Sequence, residues 1–419
     1  MIVIFIIGYL AIALEHPIKI NKAASALLLA LILWILFGFS GFISTEEVLK
    51  ELEHHFSSIS QLLFFLMGAM TIVELISRHN GFKVVTDAIR TTNKRTLLWI
   101  IGFVTFFLSS VLDNMTTAIV ITTLLGKLLD DKNDKMIFAG IVIIAANAGG
   151  AWTPIGDVTT TMLWIGGQIT TLNIMKELFI PSMMCLIVPL LYQSFFIRGT
   201  FSPLKGEKGK NPTEPASKLM FYLGISALMF VPIFKAITHL PPYMGMLLGV
   251  GVLWFVTDWM HHAHEDRTHL RITHVLTRID VPSILFFLGI LLAVGALETS
   301  GILQNFAVWM DQRIGNKDII VTIIGLLSAI MDNIPLTAAT MGMYDLTTYP
   351  ADHKIWKMLA YSVGTGGSCL IIGSAAGVVT MGIAKLDFIW YMKKISFTAL
   401  LGYFAGILAY LAIYPLTSG

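Results

Sequence analysis

The sequence predicts an all-α polytopic membrane protein, with about ten transmembrane crossings, two re-entrant helical hairpins and an inverted-topology repeat built on discontinuous helices. Three observations predict it. Of the 419 residues, 56% are hydrophobic and only 13% are charged, against about 25% charge in an ordinary soluble domain. Two long apolar stretches are interrupted at their centres by an Asp-Asn pair, in SSVLDNMTTAIV and in MDNIPLTAA. Three sequence elements recur in the same order in both halves of the chain.

Apolar runs place crossings near 1–14, 23–39, 60–76, 135–166, 178–197, 219–234, 243–259, 282–299, 357–384 and 396–414. The opening run lacks a basic segment before it and reads as a first span rather than a cleaved signal. The stretches 97–129 and 318–348 behave differently. Each half holds about 14 residues, roughly 21 Å of helix, short of a hydrocarbon core of roughly 30 Å. Both read as hairpins that enter and leave on one side. TEEVLKELEHHF at 45–56 alternates charges at helical spacing and reads as a short surface helix. The segment 199–218, rich in Gly, Pro and Lys, reads as a cytoplasmic linker. HHAHEDRTHLRITH, at 261–274, reads either as a wet amphipathic loop or as a metal- or pH-sensing tract. Cys185 and Cys369 lie in apolar runs and form no disulfide framework or metal motif, and no nucleic-acid module is present.

This organises the chain as N-terminal scaffold helices (1–59), a first repeat (60–198), the linker (199–218), central scaffold helices (219–281) and a second repeat (282–419). The first repeat holds hairpin 97–129 and broken helix 135–166; the second holds hairpin 318–348 and broken helix 357–384. With these crossings, all but seven of the 28 basic residues fall on one side, the seven being Lys50, Lys176, Lys235, Arg313, Lys317, Lys354 and Lys357. The excess of positive charge marks that side as cytoplasmic and puts both termini outside.

The repeat is legible element by element. LLFFLMGAMTIVELISRHNG answers ILFFLGILLAVGALETSG, FLSSVLDNMTTAI answers LLSAIMDNIPLTA, and IIAANAGGAWTPIGD answers AYSVGTGGSCLIIGS. The first copy starts on one side of the membrane and the second on the other, so the repeat is inverted. Gly- or Pro-interrupted segments at matched positions of inverted halves point to a transporter's midplane site.

At each hairpin tip a half-helix begins after the Asp-Asn pair, with free N–H groups and the positive end of its dipole aimed at the membrane centre. Asp113, Asn114, Thr116 and Thr117 add side-chain oxygens there, and Asp332, Asn333 and Thr337 repeat the arrangement. Asp and Asn also serve as plain helix caps, but a cap within the bilayer exists only because the helix is broken, and the break leaves backbone groups to be satisfied. The broken helices contribute Asn147, Thr153 and Asp157 from one half and Ser362, Thr365 and Ser368 from the other. Glycines beside them permit close approach and exposed carbonyls. Oxygens of this kind suit a hard monovalent cation such as Na⁺ or Li⁺ better than Ca²⁺ or Mg²⁺. Asp157 is the unmatched acid, since its counterpart is Ser374. A carboxyl in a low-dielectric cavity retains a proton more readily than one in water, and a bound cation expels it. That competition is sufficient for antiport, although Asp157 also stands where it can cap the helix that follows. Glu74 and Glu298, late in matched spans, are either proton relays or interface residues that snorkel.

On SSVLDNMTTAIV, NAGGAWTPIGD, MDNIPLTAA and SVGTGGSCLIIGSAAG, the chain resembles the NhaD-type sodium/proton antiporters of the ion transporter superfamily, over about residues 1–415. That superfamily includes arsenite-efflux permeases and sodium-coupled dicarboxylate and citrate carriers. The resemblance implies Na⁺ or Li⁺ export against incoming H⁺, no cofactor and no enzyme chemistry. It also implies a homodimer, a scaffold and a moving transport domain, and a bacterial inner membrane. In the dicarboxylate relatives each tip carries Ser-Asn-Thr; here the tips read Asp113-Asn114-Met115 and Asp332-Asn333-Ile334. An acid there repels a dicarboxylate, which argues against the carboxylate reading; arsenite is neutral near neutral pH and would not need several acids.

Overall fold

The computed structural model describes residues 1–13, 15–41, 44–86, 91–129, 131–200, 216–262 and 265–417. Among them all regular structure is helical, apart from one isolated bridge between Asn93 and Thr200. Most of the expected linker, 201–215, lies outside the described residues, as do 263–264 of the His-rich tract.

Both hairpin stretches break at the Asp-Asn pair into two half-helices, and both broken helices break at their glycines. The first hairpin is Lys94–Ser109 followed by Asn114–Leu128, and the second is Lys317–Leu327 followed by Asn333–Met343. The broken helices are Lys132–Gly150 with Val158–Ile165, and Lys354–Gly366 with Ala375–Ala384. The inner pieces are buried on every side along Phe138–Gly150 and Ile355–Gly366.

Seven of the ten expected crossings are single uninterrupted helices. Among the described residues seven helices are long and apolar enough to cross a membrane: Lys22–Phe39, Thr45–Arg78, Thr171–Phe196, Ser217–Thr238, Pro242–His261, Val281–Thr299 and Ser396–Tyr414. An eighth is reached if Ala375–Ala384 and Phe388–Lys394, bent by 111°, count as one. The run at 1–14 forms a helix of only 12 residues, Ile2–Ala13. The other two expected crossings, 135–166 and 357–384, are the broken ones, split because their Gly-rich centres leave the helix.

Two further expectations are revised. The 45–56 segment is no separate surface helix. A capping box between Ser44 and Glu47 starts one 34-residue helix, Thr45–Arg78, that nothing interrupts. An unpredicted helix, Ile302–Ile314, connects a span to the second hairpin and buries Leu303, Ala307 and Met310 at helical spacing. In the His-rich tract, His261 is fully buried, with its Nε2 3.2 Å from that of His79, while His262 and His269 are exposed.

The two repeats are packed by matched close approaches. In the first, Gly149 lies on the Phe106 carbonyl of the hairpin; in the second, Gly366 lies on the Gly325 carbonyl. A methyl at Gly156 would stand 2.7 Å from the Ser109 carbonyl, and one at Gly373 would stand 2.5 Å from that of Ser328. Ser109 donates to the Ala146 carbonyl at 2.6 Å, and Ser328 to the Val363 carbonyl at 3.0 Å. Backbone contact at this range requires glycine, which explains the GG and G motifs physically. The second repeat is also clasped by the N-terminal helices. Gly289 meets the Ala26–Leu27 backbone, and Trp34 Nε1 donates to the Leu292 carbonyl at 2.9 Å.

Candidate functional site

The breaks of the two broken helices cross each other, and the hairpin tips close on the crossing. Each tip opens its helix with an aspartate cap. Asp113 accepts from the Thr116 N–H and from the Thr116 hydroxyl, both at 2.7 Å. Asp332 caps more loosely, accepting from the Ile334 N–H at 3.3 Å. Asn114 holds the first tip to the crossing, donating to Asn147 Oδ1 at 3.0 Å. Asn333, with its amide oriented to suit its neighbours, donates to the Gly373 carbonyl at 3.1 Å and lies against Ser328.

At the centre the two repeats meet by a shared rule with different chemistry. Asn147 donates to Ser368 Oγ at 2.8 Å and to Ser374 Oγ at 2.9 Å. Aligning the repeat motifs equates Asn147 with Gly364, Ser368 with Ala151, and Ser374 with Asp157. The mirror contact exists as well: a methyl on Gly364 would lie 3.3 Å from Asp157 Oδ2 and 3.4 Å from Ala151 Cβ. One side of the pseudo-two-fold axis is thus an amide satisfied by two hydroxyls. The other is a glycine and an alanine facing a carboxylate.

That carboxylate is only half satisfied. Asp157 is 3% exposed. Its Oδ1 accepts a long cap bond from the Thr159 N–H at 3.4 Å, and its Oδ2 has no hydrogen-bond partner. Asp113 and Asp332 both act on it electrostatically through space. A buried, unpaired carboxylate is among the costliest arrangements a protein interior can hold, so a proton or a cation at this oxygen relieves a real penalty. The hydroxyls of Thr117 and Thr159 are also buried without partners.

The remaining predicted residues divide. Thr153 donates to the Ser110 carbonyl at 2.6 Å, tying the first break to its hairpin tip. Thr337 and Thr365 donate to carbonyls of their own helices, at 2.9 and 2.6 Å. Ser362 sits where its helix crosses Gly325, outside the central contacts. Glu74 is paired with Arg78 at 2.7 Å, and Glu298 lies beside Gly342; the central contacts include neither. Thr159 was missed, and Ser374 was named only as the counterpart of Asp157. Thr159 follows Asp157 by two positions, inside a TTT run that could have flagged it. Ser374 serves both as an acceptor for Asn147 and as the cap of Ala375–Ala384. Among the described residues no three His, Cys, Asp or Glu side chains cluster as a metal-binding group.

Comparison with known proteins gives a consistent picture. Residues 3–358 match the family model described as a citrate transporter. The chain is 51% identical to sodium/proton antiporter 1 of Arabidopsis thaliana, over 99% of this chain and 72% of that protein. It is 30% identical to the Na⁺/H⁺ antiporter NhaD of Vibrio cholerae, over 98% of this chain and 91% of that one. In fold it resembles the crystal structure of the YdaH transporter of Alcanivorax borkumensis, with a TM-score of 0.60, 10% identity, and coverage of 94% of this chain and 98% of that one.

Proposed function

The chain belongs to the citrate-transporter family and to the sodium/proton antiporters among its relatives, and we propose that it exchanges cytoplasmic Na⁺ or Li⁺ for external H⁺ at the crossing of its broken helices. It is a secondary transporter and makes or breaks no covalent bond. The observation that carries the site is Asp157 Oδ2, buried and unpartnered beside Gly364. Protonated, the group is neutral and tolerates burial. Ionised, it needs a cation. The two states exclude each other, and that exclusion couples the two flows.

In this reading Asp157 is the exchanging acid, and Asp113, Asn114, Asp332 and Asn333 carry the cation with it from the tips. Asn147, Thr116 and Thr153 support them, Thr117 and Thr159 offer hydroxyl oxygens, and Thr337, Ser362, Thr365 and Ser368 hold the second half in place. The short first helix and the two broken helices serve as crossings, making ten with the seven long ones, and both hairpins are re-entrant. The segments 1–59 and 219–281 form a scaffold and dimer interface against which the repeats move. The protein sits in a bacterial inner membrane with both termini outside. Carboxylate transport is a second reading, favoured by the family model's description; an acid at each hairpin tip opposes it.

The test uses everted vesicles from cells lacking their own antiporters, with a respiratory ΔpH followed by acridine-dye fluorescence. Na⁺ and Li⁺ should dissipate the gradient; K⁺ and citrate should not. A response to citrate alone, or to no cation between pH 6.5 and 9, overturns the antiport reading. A response that survives Asp157→Asn moves the exchanged proton to Asp113 or Asp332.

A further inference from the structure

The two hairpin tips carry the same Asp-Asn pair and hold the aspartate differently. Asp113 engages both carboxylate oxygens with Thr116. The equivalent of Thr116 in the second tip is Pro335, which has neither an N–H nor a hydroxyl to offer. Asp332 keeps only the long bond from Ile334 to Oδ1, and its Oδ2 faces the ammonium of Lys22 at 3.9 Å. Among the described residues no Lys or Arg pairs with Asp113.

Lys22 comes from a different part of the molecule. It is the first residue of Lys22–Phe39, its N–H donates to Glu15 Oε1 at 3.2 Å, and its ammonium lies 4.4 Å from the centre of the Phe286 ring. The N-terminal helices also supply Tyr9, whose hydroxyl accepts from the Asp332 N–H at 3.2 Å. The second tip is therefore gripped from outside its own hairpin, through a carboxylate that a proline leaves available.

From this we infer that Lys22 is a tethered cation that competes with Na⁺ for Asp332 and so sets the affinity of the transporter. The inference rests on the antiport reading above. An ammonium and Na⁺ carry the same charge, so the carboxylate cannot be fully matched by both. The tether gives the lysine a high effective concentration. The pair is partly exposed, at 35% and 25%, and held at 3.9 Å, which leaves it weak enough to be displaced by a free ion. When the lysine is displaced, one of the two polar links seen among the described residues between the N-terminal helices and the second tip is lost. Cation binding then loosens that tip from the scaffold.

The test is equilibrium binding of radioactive sodium to the detergent-purified full chain, as wild type, Lys22→Arg and Lys22→Gln. Removing the competitor should tighten binding by up to about fivefold in Lys22→Gln, the factor set by a partly exposed ion pair. Lys22→Arg, which keeps the charge, should stay near wild type. The same order should appear in transport as a lower KM for Na⁺ with kcat changed less. Unchanged or weaker Na⁺ binding in Lys22→Gln, with Lys22→Arg intact, overturns the inference while leaving antiport standing. A wild type that binds no Na⁺ sinks the antiport reading itself.

Discussion

The two repeats share a backbone and divide the chemistry. Both put glycines on a hairpin carbonyl, both tie a serine near the end of the hairpin's first arm to the broken helix, and both open a half-helix on an aspartate at the tip. At the crossing they part. The second repeat presents Ser368 and Ser374, which satisfy Asn147. The first presents Ala151 and Asp157, which face Gly364 and leave one carboxylate oxygen without a partner. The satisfied side is a rivet. The unsatisfied side is where a proton or an ion has something to gain. Duplication supplies the frame, and divergence at a few positions concentrates function on one side of the axis.

Several experiments can break or sharpen this contrast. The largest effect is expected from the acid and its counterpart. Asp157→Asn should abolish cation-dependent ΔpH dissipation in vesicles with protein levels unchanged. Ser374→Ala should keep activity and lose about 1 kcal/mol, the usual value of a helix cap, read as a lower Tm in detergent. Equal loss in both would mean that function is shared across the axis.

Next come the frame glycines. Gly149→Ala and Gly366→Ala each drive a methyl into a hairpin carbonyl. Both should destabilise by at least about 1–3 kcal/mol, the range for overpacking. The matched frame predicts similar losses in the two halves, measured as Tm and as the folded fraction on size-exclusion chromatography.

Smaller effects are expected at the crossing. Asn147→Ala takes one donor from each of the buried Ser368 and Ser374 hydroxyls and the acceptor from Asn114 and should cost about 1–3 kcal/mol. Gly364→Ala should leave stability closer to wild type but weaken Na⁺ binding, because its methyl narrows the space at Asp157 Oδ2. Sodium titration of both variants separates the roles. If Gly364→Ala binds Na⁺ as wild type does, the ion sits elsewhere.

The smallest effect belongs to the outer end of the second hairpin. There the Thr347 hydroxyl, then the Thr348 N–H, hold the exposed Asp345 carboxyl below its usual range. Its contribution is present above the ordinary carboxylate pKa and disappears as pH falls through the depressed one. A slight Tm difference between Asp345→Asn and wild type at pH 7 should therefore close on acidification. A gap that widens in acid would contradict this sign.

Much of the frame could be read directly, because broken helices in oil are conspicuous. Asp113-Asn114 and Asp332-Asn333 interrupt apolar runs, and the glycine clusters mark the helices that must approach a backbone. Glu74, read as a relay or an interface residue, is instead paired with Arg78, an i, i+4 neighbour on one helix. Less legible were the continuity of Thr45–Arg78, whose charged first turns look like a separate element, and the burial of His261, which sits in a tract of otherwise polar residues.

The sequence by itself determined the membrane class, the repeat, the four interrupted helices and the roster of polar side chains near the interruptions. Periodicity, hydropathy and local backbone chemistry carry that information over short stretches of chain. Only the tertiary structure decided that Asn147 faces Ser368 and Ser374, that Asp157 faces Gly364, and that Lys22 reaches Asp332. Those neighbours are hundreds of residues apart and come from separate elements. Whether a buried carboxylate is capped, paired or left open depends on which atoms the packing of those elements brings within about 3–4 Å.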